Sequence, residues 1–206
     1  QIMNPIDTTV FKFREKQTAA NKLGLDSNYQ YLLYVGRFSK NKGIEEILNV
    51  FKKLKENHSN LKLILIGDGP LLNQIQEYVK QNNLITDVIL PGRLTHEITC
   101  YYYNISSVLL NIGASGGLAN VIIEAIASKL PIIAINVGAS KDYVGGKFNN
   151  GILINSTNEL ELEKAIIEII ENKKKYINSN ENILKKFTFE FFGQTLKQSY
   201  MELLNK

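Results

Sequence analysis

Short apolar runs punctuate this chain, and amphipathic stretches separate them. Tyr31–Val35, Leu61–Ile66, Val88–Leu90, Val108–Asn111, Ile132–Ile135 and Ile152–Ile154 are continuous and rich in Ile, Leu and Val. Runs of that kind predict parallel strands covered on both faces. Between them the spacing changes. Ile44, Ile47, Leu48, Phe51 and Leu54 recur at helical intervals within 44–57, with Lys and Glu opposite, which predicts an amphipathic helix. Stretches 71–81, 120–128 and 159–171 read the same way, and in the last of these Leu160, Leu162, Ala165, Ile166 and Ile169 share one side. The first thirty residues have no clear period. Residues 187–206 predict a C-terminal helix with Phe191, Phe192, Leu196, Tyr200, Leu203 and Leu204 as its apolar positions.

About six strands alternating with helices predict an α/β fold, a Rossmann-like doubly wound parallel sheet with helices on both faces. Its 206 residues suit a single domain. We divide it into an opening segment (1–30), a core (31–186) and the C-terminal helix (187–206). Ligands of such sheets sit outside the carboxyl ends of the strands, so functional residues should follow strands.

Composition narrows the class only a little. With 44% hydrophobic and 21% charged residues the chain is ordinary for a globular domain. No apolar run approaches the ~20 residues needed to cross a bilayer, and no signal-peptide pattern opens it. One cysteine, Cys100, offers neither an internal disulfide nor a metal cluster; this fits a cytoplasmic location. A formal charge of +4 reads as a Lys-rich solvated surface or as a bias toward anionic ligands or an anionic membrane surface. The scattered basic residues do not make a nucleic-acid footprint. The chain opens at Gln1 and not at Met, so it reads as a processed or excised piece of something longer.

Four post-strand segments carry candidate chemistry. Gly36-Arg37-Phe38-Ser39-Lys40-Asn41-Lys42-Gly43 puts cations and glycines where a helix begins, which suits a pyrophosphate; a solvated basic turn is the plainer alternative. It is neither a Walker loop nor a dinucleotide fingerprint, which argues against a nicotinamide enzyme. Gly113-Ala114-Ser115-Gly116-Gly117-Leu118-Ala119-Asn120 is a small-residue loop that lets a ligand approach the backbone. Four residues on, Glu124 interrupts an apolar helix. A buried carboxylate there needs a partner, so it reads as an acceptor for ribose hydroxyls or as a surface acid near the helix start. Gly67-Asp68-Gly69-Pro70 is a turn at a helix start, with Asp68 in a turn or capping role, and Gly138-Ala139-Ser140-Lys141-Asp142 is a further strand-to-helix loop. His58 and His96 read as surface or capping residues, and Tyr101-Tyr102-Tyr103 as helix packing.

In order, these segments resemble the C-terminal domain of GT-B glycosyltransferases, family 4 of the retaining enzymes (glycosyl transferases group 1), over nearly the whole chain. Asn4-Pro5-Ile6-Asp7 with Phe11, Gly36-Arg37 with Lys42-Gly43, Gly67-Asp68-Gly69-Pro70, and Leu90-Pro91-Gly92-Arg93-Leu94 are similar to its signatures. So are the run from Asn120 to Ser128 with Pro131, Gly138 with Asp142, Asn150-Gly151, and Phe187-Thr188-Phe189. The resemblance implies transfer of a sugar from a nucleoside-diphosphate sugar, UDP- or GDP-linked, to a glycan or lipid-linked acceptor, with retention. It points to surface polysaccharide synthesis. It implies that Arg37 and Lys42 hold the diphosphate, that Glu124 binds the ribose, and that the amides around Leu118–Val121 meet sugar and phosphates. Gly36, Gly116, Gly117, Ala119 and Asn120 belong to the same donor site, and Arg93 and Leu94 border the nucleobase. No metal or other cofactor is implied.

The first acid of the family's Glu-x7-Glu pair should stand at position 116, where this chain has Gly116. That departure leaves open a distinct donor preference, an inactive or regulatory homologue that serves as a non-catalytic nucleotide-sugar-binding module, or an engineered change. An epimerase on the same fold would need an acid/base group near the sugar, and none is seen. The resemblance also implies a second, N-terminal acceptor domain outside this chain, without which the chain would be inactive, and through which a peripheral membrane contact is expected. The C-terminal helix should then expose part of an apolar face.

Overall fold

The computed structural model describes residues 4–113, 120–177 and 181–204. Six strands form one parallel sheet: β1 (Gln30–Val35), β2 (Leu61–Ile66), β3 (Val88–Gly92), β4 (Val108–Asn111), β5 (Ile132–Ile135) and β6 (Gly151–Ile154). Their spatial order is β3-β2-β1-β4-β5-β6. The chain therefore starts at the centre, builds outward to β3, and returns to the centre with β4. The loops that leave β1 and β4 diverge to opposite sides, which opens a crevice at the carboxyl edge of the sheet.

Alternation along each strand sorts side chains into two apolar layers. Leu32, Tyr34, Leu63, Leu65, Val108 and Leu110 pack with α2 (Ile44–Lys55), α3 (Leu72–Gln81) and α6 (Glu159–Glu171). Tyr31, Leu33, Ile64, Ile66 and Leu109 pack with α1 (Lys16–Leu23), α4 (His96–Ile105), α5 (Asn120–Ala127) and α7 (Glu181–Leu184). The strands are buried on both faces, as continuous apolar runs require. In α2 all five predicted positions are buried, and Val50 joins them.

Three elements differ from the sequence reading. The opening segment contains α1, whose inward positions are Ala19 and Ala20; alanines are too small to draw an apolar stripe. The helix that starts at His96 runs on to Ile105, a length the pattern left unstated. The C-terminal helix, α8, spans Phe189–Leu204, so Phe187 lies before it. Phe187 sits in a short 3-10 turn (Lys185–Phe187) and is buried against Tyr143. Its carbonyl accepts from the Ile6 amide at 2.9 Å, which ties the two ends of the chain together. No residue of α8 is buried, and Phe189, Tyr200, Leu203 and Leu204 lie open on it, 61–80% exposed. Among the described residues no helix is long and apolar enough to cross a membrane.

Candidate functional site

Three post-strand loops are laced together by backbone hydrogen bonds at the carboxyl edge of β1, β2 and β3. The Gly36 amide donates to the Ile66 carbonyl at 3.0 Å, Phe38 N–H to Asp68 at 2.8 Å, and Gly67 N–H to Gly92 at 3.0 Å. Leu71 N–H returns to the Phe38 carbonyl at 3.1 Å. Fully buried Phe38 pins this lattice to the core. The contact between the first two loops leaves no room for side chains: a β-carbon on Gly67, where φ is +144°, would lie 1.9 Å from the Gly36 carbonyl oxygen. Glycine is therefore obligatory at that crossing. Tyr34 Oη donates to the Arg37 carbonyl at 2.9 Å and holds the Arg37 backbone.

Above the lattice opens a cleft of about 650 Å³. Gly36 and Arg37 line it from the first loop, Gly67, Asp68 and Gly69 from the second, and Arg93 and Leu94 from the third. Two helices complete the lining, with His96 and Thr99 on α4 and Val121 and Glu124 on α5. Two guanidinium groups and a deep-set carboxylate thus share one cleft, which suits a ligand that is anionic at one end and rich in hydroxyls at the other. Asp68 keeps to the turn, where its Oδ1 accepts from the Gly69 amide at 2.7 Å.

Glu124 is 7% exposed. Its Oε2 accepts from the Tyr103 hydroxyl at 2.6 Å, the partner that a buried carboxylate requires. Burial pushes the Glu124 carboxyl above the ordinary range, and the Tyr103 hydrogen bond and the charge of His96 pull it back. The Tyr103 phenol is driven well above its usual value, by burial first and then by the neighbouring carboxylate. Tyr103 therefore stays a donor at every physiological pH.

Of the residues singled out in the sequence, the structure brings Gly36, Arg37, Arg93, Leu94, Val121 and Glu124 to this cleft. Lys42 and Asn120 are not among the lining residues. Lys42 Cδ would lie 3.1 Å from a β-carbon on Gly113, so its side chain lies beside Gly113. Asn120 is exposed at the first position of α5. Gly116, Gly117, Leu118 and Ala119 lie outside the described residues. His96, read as a capping residue, is in the cleft wall, and Tyr103 reaches past simple packing to Glu124. Both could have been found from spacing: His96, Thr99 and Tyr103 are three and four residues apart and so share one face of α4. Among the described residues no group of three or more His, Cys, Asp or Glu side chains could hold a metal ion.

Residues 15–186 match the family described as glycosyl transferases group 1. An uncharacterized glycosyltransferase of Methanocaldococcus jannaschii is 30% identical over 181 residues, covering 86% of this chain and 50% of the relative. The capsular polysaccharide biosynthesis glycosyltransferase CapM of Staphylococcus aureus is 29% identical over 211 residues, covering 95% and 53%. This chain spans about half the length of the curated relatives it matches. Among solved structures, sucrose-phosphate synthase from Thermosynechococcus elongatus superposes with a TM-score of 0.85 at 25% identity, over 99% of this chain and 52% of the other. HepE of Anabaena, solved with UDP and glucose, superposes at 0.82 and 18% identity, over 97% and 56%.

Proposed function

The chain belongs to the glycosyl transferases group 1 family, and from that membership we propose that it is the nucleotide-sugar-binding half of a retaining, family 4 glycosyltransferase. One observation carries the reading: Arg37, from the loop after β1, and Glu124, from α5, line a single cleft at the carboxyl edge of the sheet. A nucleoside-diphosphate sugar needs that pairing. Arg37 meets the diphosphate and offsets the charge that gathers on the departing nucleotide, where one lost donor can cost about 10²–10³ in rate. Glu124 meets the ribose hydroxyls, with Oε2 held by Tyr103. Arg93 and Leu94 border the base, and Lys42, beside Gly113, serves the diphosphate. The donor is UDP- or GDP-linked; the UDP and glucose held by HepE, on the same fold, support the choice of ligand class. The acceptor is a glycan or a lipid-linked acceptor in surface polysaccharide synthesis, in keeping with the capsular role named for CapM. The acceptor half is the further domain implied by the relatives' greater length, and any peripheral membrane contact runs through it.

A second reading has its own observation. Gly116 stands where the resemblance calls for the acid that faces the donor sugar, which favours a module that binds donor without transferring it.

Calorimetric titration of the 206-residue chain with UDP-, GDP- and ADP-sugars, followed by a coupled nucleotide-release assay with acceptors, tests both. Donor binding without turnover is the expected result. Positioning an acceptor against the anomeric carbon supplies about 7–11 kcal/mol of barrier reduction, and one open wall cannot provide it. Acceptor-dependent turnover by the chain alone would sink the half-enzyme reading, and no binding of any nucleotide would sink the donor site. Donor binding with neither transfer nor hydrolysis in the longer protein selects the non-catalytic module.

A further inference from the structure

A chain of contacts runs from the opening segment to the acid of the cleft. Asp7 starts it: its carbonyl accepts from the Phe11 amide at 2.8 Å and its Oδ1 from the Thr9 amide at 2.8 Å, a turn that drives Phe11 inward until it is 2% exposed. The Phe11 ring meets two residues of α4 edge-on, His96 with centroids 5.4 Å apart and Tyr103 at 5.7 Å. Tyr103, 1% exposed, then places its hydroxyl 2.6 Å from Glu124 Oε2. With the ring clamped by Phe11 and the backbone set by α4, the hydroxyl has one direction in which to donate.

We propose that Tyr103 is the positioning residue for Glu124, aiming the carboxylate at the ligand hydroxyls, with Phe11 as the wedge that fixes the Tyr103 ring. The proposal rests on the nucleotide-binding reading for its ligand and on the geometry for the placement of Glu124. A buried carboxylate reverts to its neutral acid unless something stabilises the charge. Among the groups around it, Tyr103 bonds Glu124 directly and His96 acts through its charge. Arg37, Asp68 and Arg93 line the same cleft from the loops. Strand β4 is Val-Leu-Leu-Asn and brings no ionisable group, and α7 meets the same apolar layer through Ile183. Removing the Tyr103 hydroxyl should therefore raise the Glu124 titration midpoint further and free the carboxyl to rotate.

The test uses the chain as it stands. NMR titration of 13C-carboxyl-labelled glutamate in the ligand-free protein compares wild type with Tyr103→Phe, which keeps the ring and its packing on Phe11. The Glu124 midpoint is expected to move to higher pH; an unchanged midpoint overturns the proposal whatever the ligand is. Calorimetry with UDP and GDP forms the second arm. Tyr103→Phe should weaken the nucleotide that wild type binds by about ten-fold, with the loss growing as pH falls. The 2′,3′-dideoxy analogue should lose far less. Equal losses for both would mark Tyr103 as merely structural and overturn the proposal. Wild type that binds neither nucleotide overturns the nucleotide-binding reading itself, and the NMR arm still decides the Tyr103–Glu124 coupling. If Tyr103→Phe fails to fold, Phe11→Leu, which loosens the wedge, should shift the same midpoint in the same direction, and no shift there overturns the proposal.

Discussion

Gly67 crosses Gly36 so closely that a β-carbon on Gly67 would lie 1.9 Å from the Gly36 carbonyl oxygen and 2.9 Å from its carbonyl carbon. The obstacle is backbone on both sides and cannot swing away. Gly67→Ala must therefore push the β1 and β2 loops apart. The expected cost is about 3 kcal/mol, a fall in Tm of about 6–12 °C for a domain of this size. Gly92 is the control, because its φ of +76° strains a side chain while nothing lies within 4 Å of its β-carbon. Gly92→Ala should cost about 1–2 kcal/mol. Equal melting losses for the two variants would show that close approach is not what matters at Gly67.

Arg37 lines the cleft and Lys42 lies beside Gly113. Arg37→Ala should weaken a nucleoside diphosphate by about 1.5–3 kcal/mol, the worth of hydrogen bonds to a charged group, and leave the free nucleoside nearly unchanged. Lys42→Ala should act in the same direction if its side chain reaches the diphosphate from beside Gly113. Calorimetry with the diphosphate and the nucleoside separates the two ligands. A matching loss for both would remove the proposed anion roles.

Glu124→Gln exchanges one acceptor oxygen for an amide donor. A ribose-containing nucleotide should bind about 1.5–3 kcal/mol more weakly, while a 2′,3′-dideoxy nucleotide should be indifferent. If the analogue suffers as much as the natural ligand, Glu124 is a structural residue.

Lys173 gives a prediction far from the cleft. Burial, assisted by the charge of Lys16, depresses its amine to about 8, and its Nζ donates to the Ser106 carbonyl at 2.9 Å. Below pH 8 the amine is charged in the folded and unfolded states alike, and the burial penalty is fully present. Between pH 8 and the usual lysine value the unfolded chain binds a proton that the fold does not, so stability rises with pH. Burial raises Tyr31 to about 12 and also raises Tyr34. Those phenols hold protons that the unfolded chain releases, which turns the trend downward above pH 10. Urea unfolding at pH 7.5, 8.5 and 9.5 should therefore show a gain of about 1–2 kcal/mol for a half-buried amine. Lys173→Met should shrink the gain, leaving the part due to Lys16, whose amine burial also lowers. A flat wild-type profile would mean that the amine is not desolvated.

The sequence alone determined the layered α/β architecture, because strands buried on both faces must be continuous apolar runs and the α2, α3 and α6 helices must alternate apolar and charged sides. It also pointed to residues that the fold gathers at one cleft: Gly36, Arg37 and Arg93 follow strands directly, and in a parallel sheet every such loop ends on the same edge, where Glu124 of α5 joins them. Alanine-faced α1 stayed invisible because its buried positions have too little surface to make a pattern. The tertiary structure alone decided that Glu124 is answered by Tyr103. That pairing spans 21 residues and two helices, and no local periodicity encodes it. The same holds for the crossing of Gly36 and Gly67. Each glycine reads locally as a turn, and only the side-by-side placement of β1 and β2 brings one backbone against the other, so that the absence of a side chain becomes a requirement.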